Sequence, residues 1–119
     1  IQQILARAAA AAAEARMAAH VAFRALDLCA DDGNLAEAEF AVASTKVVCA
    51  EAVEAVADSV HQVHGAIGFT EEHELHFTTR RLWSWQGEYG AGGFWAERLG
   101  RAVLARGAAN LWPDLTARR

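Results

Sequence analysis

Cys29-Ala30-Asp31-Asp32-Gly33-Asn34-Leu35 interrupts two long runs of helical periodicity. Gly33 suits a left-handed helix terminator, and Asn34 suits an N-cap whose side-chain oxygen accepts an orphan N–H of the next turn. Upstream, Ile4, Ala8, Ala11, Ala15, Ala18, Ala22 and Leu26 recur at spacings of three and four, which predicts one helix over residues 1–30. Downstream, Val42, Cys49, Val53, Val56, Val60 and Val63 mark a second helix over 35–64, with Glu51, Glu54, Asp58 and His61 assigned to its opposite, solvated side. The short connection forces the pair antiparallel. A first stripe this rich in alanine lets the axes approach at the low end of the usual spacing.

The same alanines dominate the composition: 29 of 119 residues, with a single proline, Pro113. Alanine at this density favours helix and argues against an all-β fold. Charged residues make up 22% and hydrophobic ones 54%, which excludes disorder. Glu14 and Arg16 break the alanine tract, so no run is long enough to span a bilayer. A net charge of −4 argues against nucleic-acid binding, which calls for a basic face. Basic residues do gather late, at Arg80, Arg81, Arg98, Arg101, Arg106, Arg118 and Arg119, leaving room for a local anionic partner. Cys29 and Cys49 form no metal or redox motif. Their offset of roughly 16 Å along the hairpin is too great for a disulfide. Free thiols in a reducing, cytoplasmic setting are expected. Ile1 opens in mid-pattern without an initiating methionine, which predicts a piece of a longer chain.

Beyond the second helix, Gly65-Ala66-Ile67-Gly68-Phe69-Thr70 breaks the pattern. Thr70 or its neighbour is expected to cap a third helix over 71–83, with acidic residues in its first turn and Arg80 and Arg81 in its last, both suited to the dipole. Glycine-rich residues 86–93 then lead to a fourth helix over 94–106, built on Trp95, Leu99, Ala102 and Val103. Asn110-Leu111-Trp112-Pro113 is expected to end regular structure. The fold class is an all-α antiparallel helical bundle, one domain over 1–119.

Gln62-Val63-His64-Gly65-Ala66-Ile67-Gly68-Phe69 carries the chemistry. A helix ends in polar side chains, two glycines three apart release the backbone, and a new helix follows. Such a junction exposes backbone N–H groups that suit an anionic oxygen, although two glycines alone equally describe a cap and turn. With the continuation Thr70-Glu71-Glu72-His73-Glu74-Leu75 and Arg80-Arg81-Leu82, and the upstream Ala25-Leu26-Asp27 and Lys46, the chain resembles the C-terminal helical domain of the acyl-CoA dehydrogenases. The resemblance implies a four-helix bundle, here apparently missing its first helix, and FAD as cofactor. It implies that Gln62, Gly65, Ala66 and Gly68 touch the ADP part of an FAD held mainly by a neighbouring subunit. Many relatives have glycine at the position of Ala66.

The resemblance also implies a glutamate base that removes the α-proton of an acyl-CoA while hydride leaves the β-carbon for the flavin. Counting from Gln62 at the family's spacing lands on Tyr89, before Gly90; Glu88 is one residue earlier and is the candidate base, the alternatives being a solvated loop residue here and a base on an earlier helix, as in other branches of the family, that this chain lacks. Ala91 stands where a flavin-contacting threonine is expected. Partners implied are an acyl-CoA substrate, a homo- or hetero-oligomer and an electron-acceptor flavoprotein. In 119 residues there is no room for the family's N-terminal helical and β-domains, so the chain alone is expected neither to turn over acyl-CoA nor to hold FAD tightly.

The histidines offer a metal alternative. Asp58 and His61 stand three apart, as do His61 and His64, and His73 and His76. Di-iron bundles need Glu-x-x-His twice plus two further glutamates, so no metal is expected. His64 is assigned to the cofactor junction, His20 to structure, and the others to the surface or an interface. Trp83, Trp85, Trp95 and Trp112, with Phe77, Phe94 and Tyr89, read as a core or interface cluster. A helical interaction module or partner subunit without a base is the competing class.

Overall fold

The computed structural model of the chain describes residues 1–116. It is all-α; among the described residues there is no strand. Helices α1 (Gln2–Asp32) and α2 (Leu35–His64) form an antiparallel hairpin. A five-residue 3-10 turn (Gly65–Phe69) leads into α3 (Leu75–Gly87), then α4 (Gly92–Arg106) and α5 (Ala108–Thr116). No described helix is long and apolar enough to cross a membrane.

The hairpin turn forms as its residues dictate. Gly33 sits at φ 72°, ψ 13°, and its N–H donates to the Cys29 carbonyl at 2.9 Å. Asn34 caps α2 by accepting from the Glu37 N–H at 3.3 Å, and its amide returns a bond to the Glu37 carboxylate at 3.1 Å. The Asn34 oxygen thereby satisfies one backbone N–H at the start of α2 that would otherwise be orphaned.

Of the stripe on α1, all but the exposed Leu26 are buried or half-buried against α2. Small side chains bring the two backbones close enough for side chains to bond across: Thr45 Oγ1 donates to the Ala18 carbonyl at 2.8 Å. α2 carries two packed faces rather than one. Its valine and cysteine stripe meets α1, while Ala43, Ala50, Ala57 and His61 share a second stripe. Against that stripe α4 is bonded through Arg98 to Glu39, and α3 through Gln86 Nε2 to the Ala50 carbonyl at 3.0 Å. Both run antiparallel to α2. His61, assigned above to solvent, is therefore inside.

Several boundaries depart from expectation, among them the end of α3, which runs on to Gly87 rather than stopping at 83. The third helix begins at Leu75, not 71, because Thr70 is extended and its hydroxyl closes the preceding turn by donating to the Ile67 carbonyl at 2.8 Å. His73 Nδ1 accepts the Leu75 N–H at 3.1 Å and takes over the capping role. Glu71 and Glu72 thus precede the helix, and Arg80 and Arg81 lie in its middle, so the dipole argument made for them does not hold. α4 starts at Gly92 instead of 94. The tail also continues as α5 through Pro113, which forgoes one backbone bond; Asn110 and Thr116 support it by bonding the carbonyls of Arg106 and Trp112.

The interior is made of alanine: Ala38, Ala43 and Ala57 are at most 2% exposed, and the largest fully buried side chain is Thr79. The chain's accessible surface is 8587 Å². A compact monomer of its mass would show roughly 6,300 Å², so about 2,300 Å² is surplus. Met17, Val21 and Phe23 on α1, and Phe77 and Trp85 on α3, belong to that uncovered surface.

Candidate functional site

α2 ends in Gln62-Val63-His64, and Gly65 turns the chain at φ 60°, ψ −143°, its N–H donating to the His61 carbonyl. That donor is therefore already used within the chain. Gln62, Gly65 and Ala66 are exposed, and a Cβ built on Gly65 would meet no atom within 4 Å. Gly68 faces the other way. It is buried, and a Cβ there would come within 3.0 Å of His64 Cβ and 3.1 Å of Leu75 Cδ2. The junction thus has an outward ledge at Gln62, Gly65 and Ala66, and an inward hinge at Gly68 that lets the turn pack onto α2 and α3.

His61 ties this turn to α3. Its ring stacks on Phe69 with centroids 4.4 Å apart, and Nε2 is hydrogen-bonded to Thr79 Oγ1 at 3.0 Å, whose hydroxyl also reaches the Leu75 and His76 carbonyls. Nδ1 is buried and has no partner among the described residues. His61 is 8% exposed, so it sits in the interior and not on the solvated side assigned to it. Replacing Thr79 by valine keeps the shape, removes the hydroxyl and leaves both ring nitrogens without a partner. We expect Thr79→Val to cost about 1–3 kcal/mol in urea denaturation; an unchanged midpoint would mean the bond contributes nothing.

The loop after α3 carries the candidate base. Glu88 is exposed and extended, and Tyr89 is left-handed at φ 56° and 92% exposed. The Glu88 carbonyl accepts from Lys46 Nζ of α2 at 2.8 Å, and the Tyr89 carbonyl accepts from Trp95 Nε1 of α4 at 3.0 Å. Beside the loop, a groove of about 500 Å³ opens between α2, α3 and the start of α4, lined by Val47, Ala50, Trp83 and Gln86 among others.

The sequence-derived candidates do not converge on one point. Lys46, which marks the level of the Glu88 loop, lies sixteen residues before Gln62, about 24 Å along the axis of α2. Lys46 and Trp95 as carbonyl donors were not legible as site residues, although Lys46 is the chain's one lysine. The aromatic residues of the last third do not form a core within the chain: Trp85, Phe94 and Trp112 are exposed, and Arg81 lies over Trp85 at 5.8 Å. Of the late basic residues, Arg118 and Arg119 fall outside the described part. His64 is exposed and spends Nδ1 on the Val60 carbonyl at 2.7 Å. Among the described residues, no three His, Cys, Asp or Glu side chains converge as a metal site. Cys29 and Cys49 are half-buried free thiols, and burial pushes the Cys49 thiol up in pKa against a smaller opposing pull from the Lys46 charge.

A family model described as Acyl-CoA dehydrogenase, C-terminal domain, matches residues 1–104. No curated protein and no solved structure matches the chain. The match takes in the α1–α2 hairpin, the glycine junction, α3, the Glu88 loop and most of α4. With the all-helical architecture it assigns the chain to the acyl-CoA dehydrogenase family, as a C-terminal helical domain.

Proposed function

We propose that the chain serves a flavin-dependent acyl-CoA dehydrogenase, contributing a subunit interface and one edge of an FAD site to the α,β-dehydrogenation of an acyl-CoA thioester. The observation that carries this reading is the outward ledge of Gln62, Gly65 and Ala66, with open space where a Gly65 side chain would project. Peptide without a Cβ lets an extended polar ligand lie directly against the backbone. The donor set fits the ADP part of FAD: the Gln62 carboxamide both donates and accepts, and His64 keeps one ring nitrogen free of its Val60 bond. Gly68 acts indirectly, by letting the ledge fold onto α2.

FAD, when bound, supplies the hydride acceptor. This chain's part in the chemistry is the Glu88 carboxylate, which takes the substrate's α-proton on an oxygen. Glu88 is exposed in the chain by itself. Covering it with thioester and flavin strips away water and raises its proton affinity toward working pH. The surplus surface supports an oligomeric assembly, homomeric or mixed, and a flavoprotein electron acceptor and a cytoplasmic setting complete the proposal.

Gly65→Val in the full-length protein tests the ledge. A branched side chain at φ 60° is strained and fills the open space. We expect flavin affinity to fall about tenfold or more, equal to 1.4 kcal/mol or more, read as flavin absorbance after desalting. Gly100→Ala, where a Cβ meets nothing within 4 Å, is the control. Full flavin retention by Gly65→Val would remove the ledge from the cofactor site.

One observation favours a second reading, a partner subunit that packs like the family but lacks a base. Tyr89, not a carboxylate, occupies the position reached by counting from Gln62, and it is 92% exposed. Substitution of Glu88 separates the two readings.

A further inference from the structure

Resting on the reading of Glu88 as base, we propose that Lys46 and Trp95 are positioning residues that clamp the 88–91 loop and hold the Glu88 carboxylate in one preset place. Two consecutive carbonyls of this loop are each held by a side chain from a different helix. Lys46 Nζ of α2 donates to Glu88 at 2.8 Å, and Trp95 Nε1 of α4 donates to Tyr89 at 3.0 Å. Between these anchors the backbone is bent into conformations it would not choose alone.

Tyr89 is the one non-glycine residue with positive φ among the described residues. Such strain persists only where surroundings over-determine it. Gly90 follows at φ 100°, pressed so closely that a Cβ would lie 2.8 Å from Phe94 Cδ1 and 2.9 Å from Trp95 Nε1. Gly92 then sits against Ala50 of α2 with no room for a Cβ. A loop bonded at two consecutive carbonyls and closely packed at Gly90 and Gly92 has little freedom to wander. Proton transfer from a bound substrate depends on reach, and a displacement near 1 Å can cost 10²-fold.

The test uses the full-length protein with Lys46→Met, which keeps the stem and removes the donor, and Trp95→Phe, which keeps a ring and removes the N–H. Lys46→Arg is the conservative rescue. Two readouts are needed: kcat and KM for α-proton exchange of an acyl-CoA, and hydrogen–deuterium exchange of the amides at 88–93. We expect Lys46→Met and Trp95→Phe each to lower kcat about tenfold, with KM within about twofold, and to speed amide exchange in the loop. Lys46→Arg should keep most of both. Unchanged amide exchange in Lys46→Met and Trp95→Phe overturns the clamp. Faster amide exchange with unchanged kcat overturns the positioning role. Glu88→Gln run alongside keeps the two ideas apart: if it leaves proton exchange intact, the base reading falls, and loop amide exchange still decides the clamp.

Discussion

Glu88→Gln in the full-length protein is expected to slow α-proton exchange of an acyl-CoA by about 10²–10⁴-fold, the usual worth of a positioned general base. Glutamine is nearly isosteric and keeps a carbonyl oxygen, but it has no proton affinity near neutral pH. Flavin content and KM should change little, because the Glu88 carbonyl is held by Lys46, which lies about 24 Å along α2 from Gln62 of the ledge. The effect therefore belongs in kcat, as expected for an interaction made chiefly in the transition state. An exchange rate within twofold of wild type would take Glu88 out of the role. The chain would then read as the partner subunit without a base, with Tyr89 displayed in the carboxylate's stead.

The second large effect concerns packing. A Cβ on Gly92 would lie 2.5 Å from Ala50 Cβ, and both atoms are fixed to helix backbone with no flexible end to give way. Gly92→Ala must therefore push α4 off α2, at about 1–3 kcal/mol, the usual cost of overpacking. The remedy lies on the facing helix. Ala50→Gly removes the obstructing atom, although alone it should cost about 1 kcal/mol of helix propensity. The double variant is expected to be more stable than the sum of the singles by at least about 1 kcal/mol, a coupling measurable in a denaturation cycle. Strict additivity would show that the two helices are not in contact at this point. Because Gly92 ends the pinned loop, the same variant should also loosen residues 88–91.

The hairpin was fully legible in the sequence. Gly33 and Asn34 each act through local backbone chemistry, which six or seven residues suffice to specify. The second packed face of α2 was not. Ala43, Ala50 and Ala57 fall at heptad spacing with His61 four residues on, yet alanine reads as helix filler and histidine reads as polar. Only tertiary packing turned them into a contact stripe. The start of α3 was misplaced for a similar reason, because the Thr70 hydroxyl had two possible carbonyl or amide partners and took the earlier one. At the candidate site, the glycine junction was evident from residue types alone. The split between outward Gly65 and inward Gly68 was not, since glycine has no side chain to reveal a direction. Lys46 and Trp95 escaped because each bonds a main-chain carbonyl, for which no side-chain motif exists.

Helix α2 also acts as a gauge with a fixed angle as well as a fixed length. Sixteen residues separate Lys46 from Gln62, which at 100° per residue turns the second about 160° around the axis from the first. Lys46, which holds the Glu88 carbonyl, and Gln62 of the ledge therefore leave α2 in nearly opposite directions. A ligand lying along one flank cannot touch both. A single-residue insertion between Lys46 and Gln62 would swing one face by 100° and leave the other where it was.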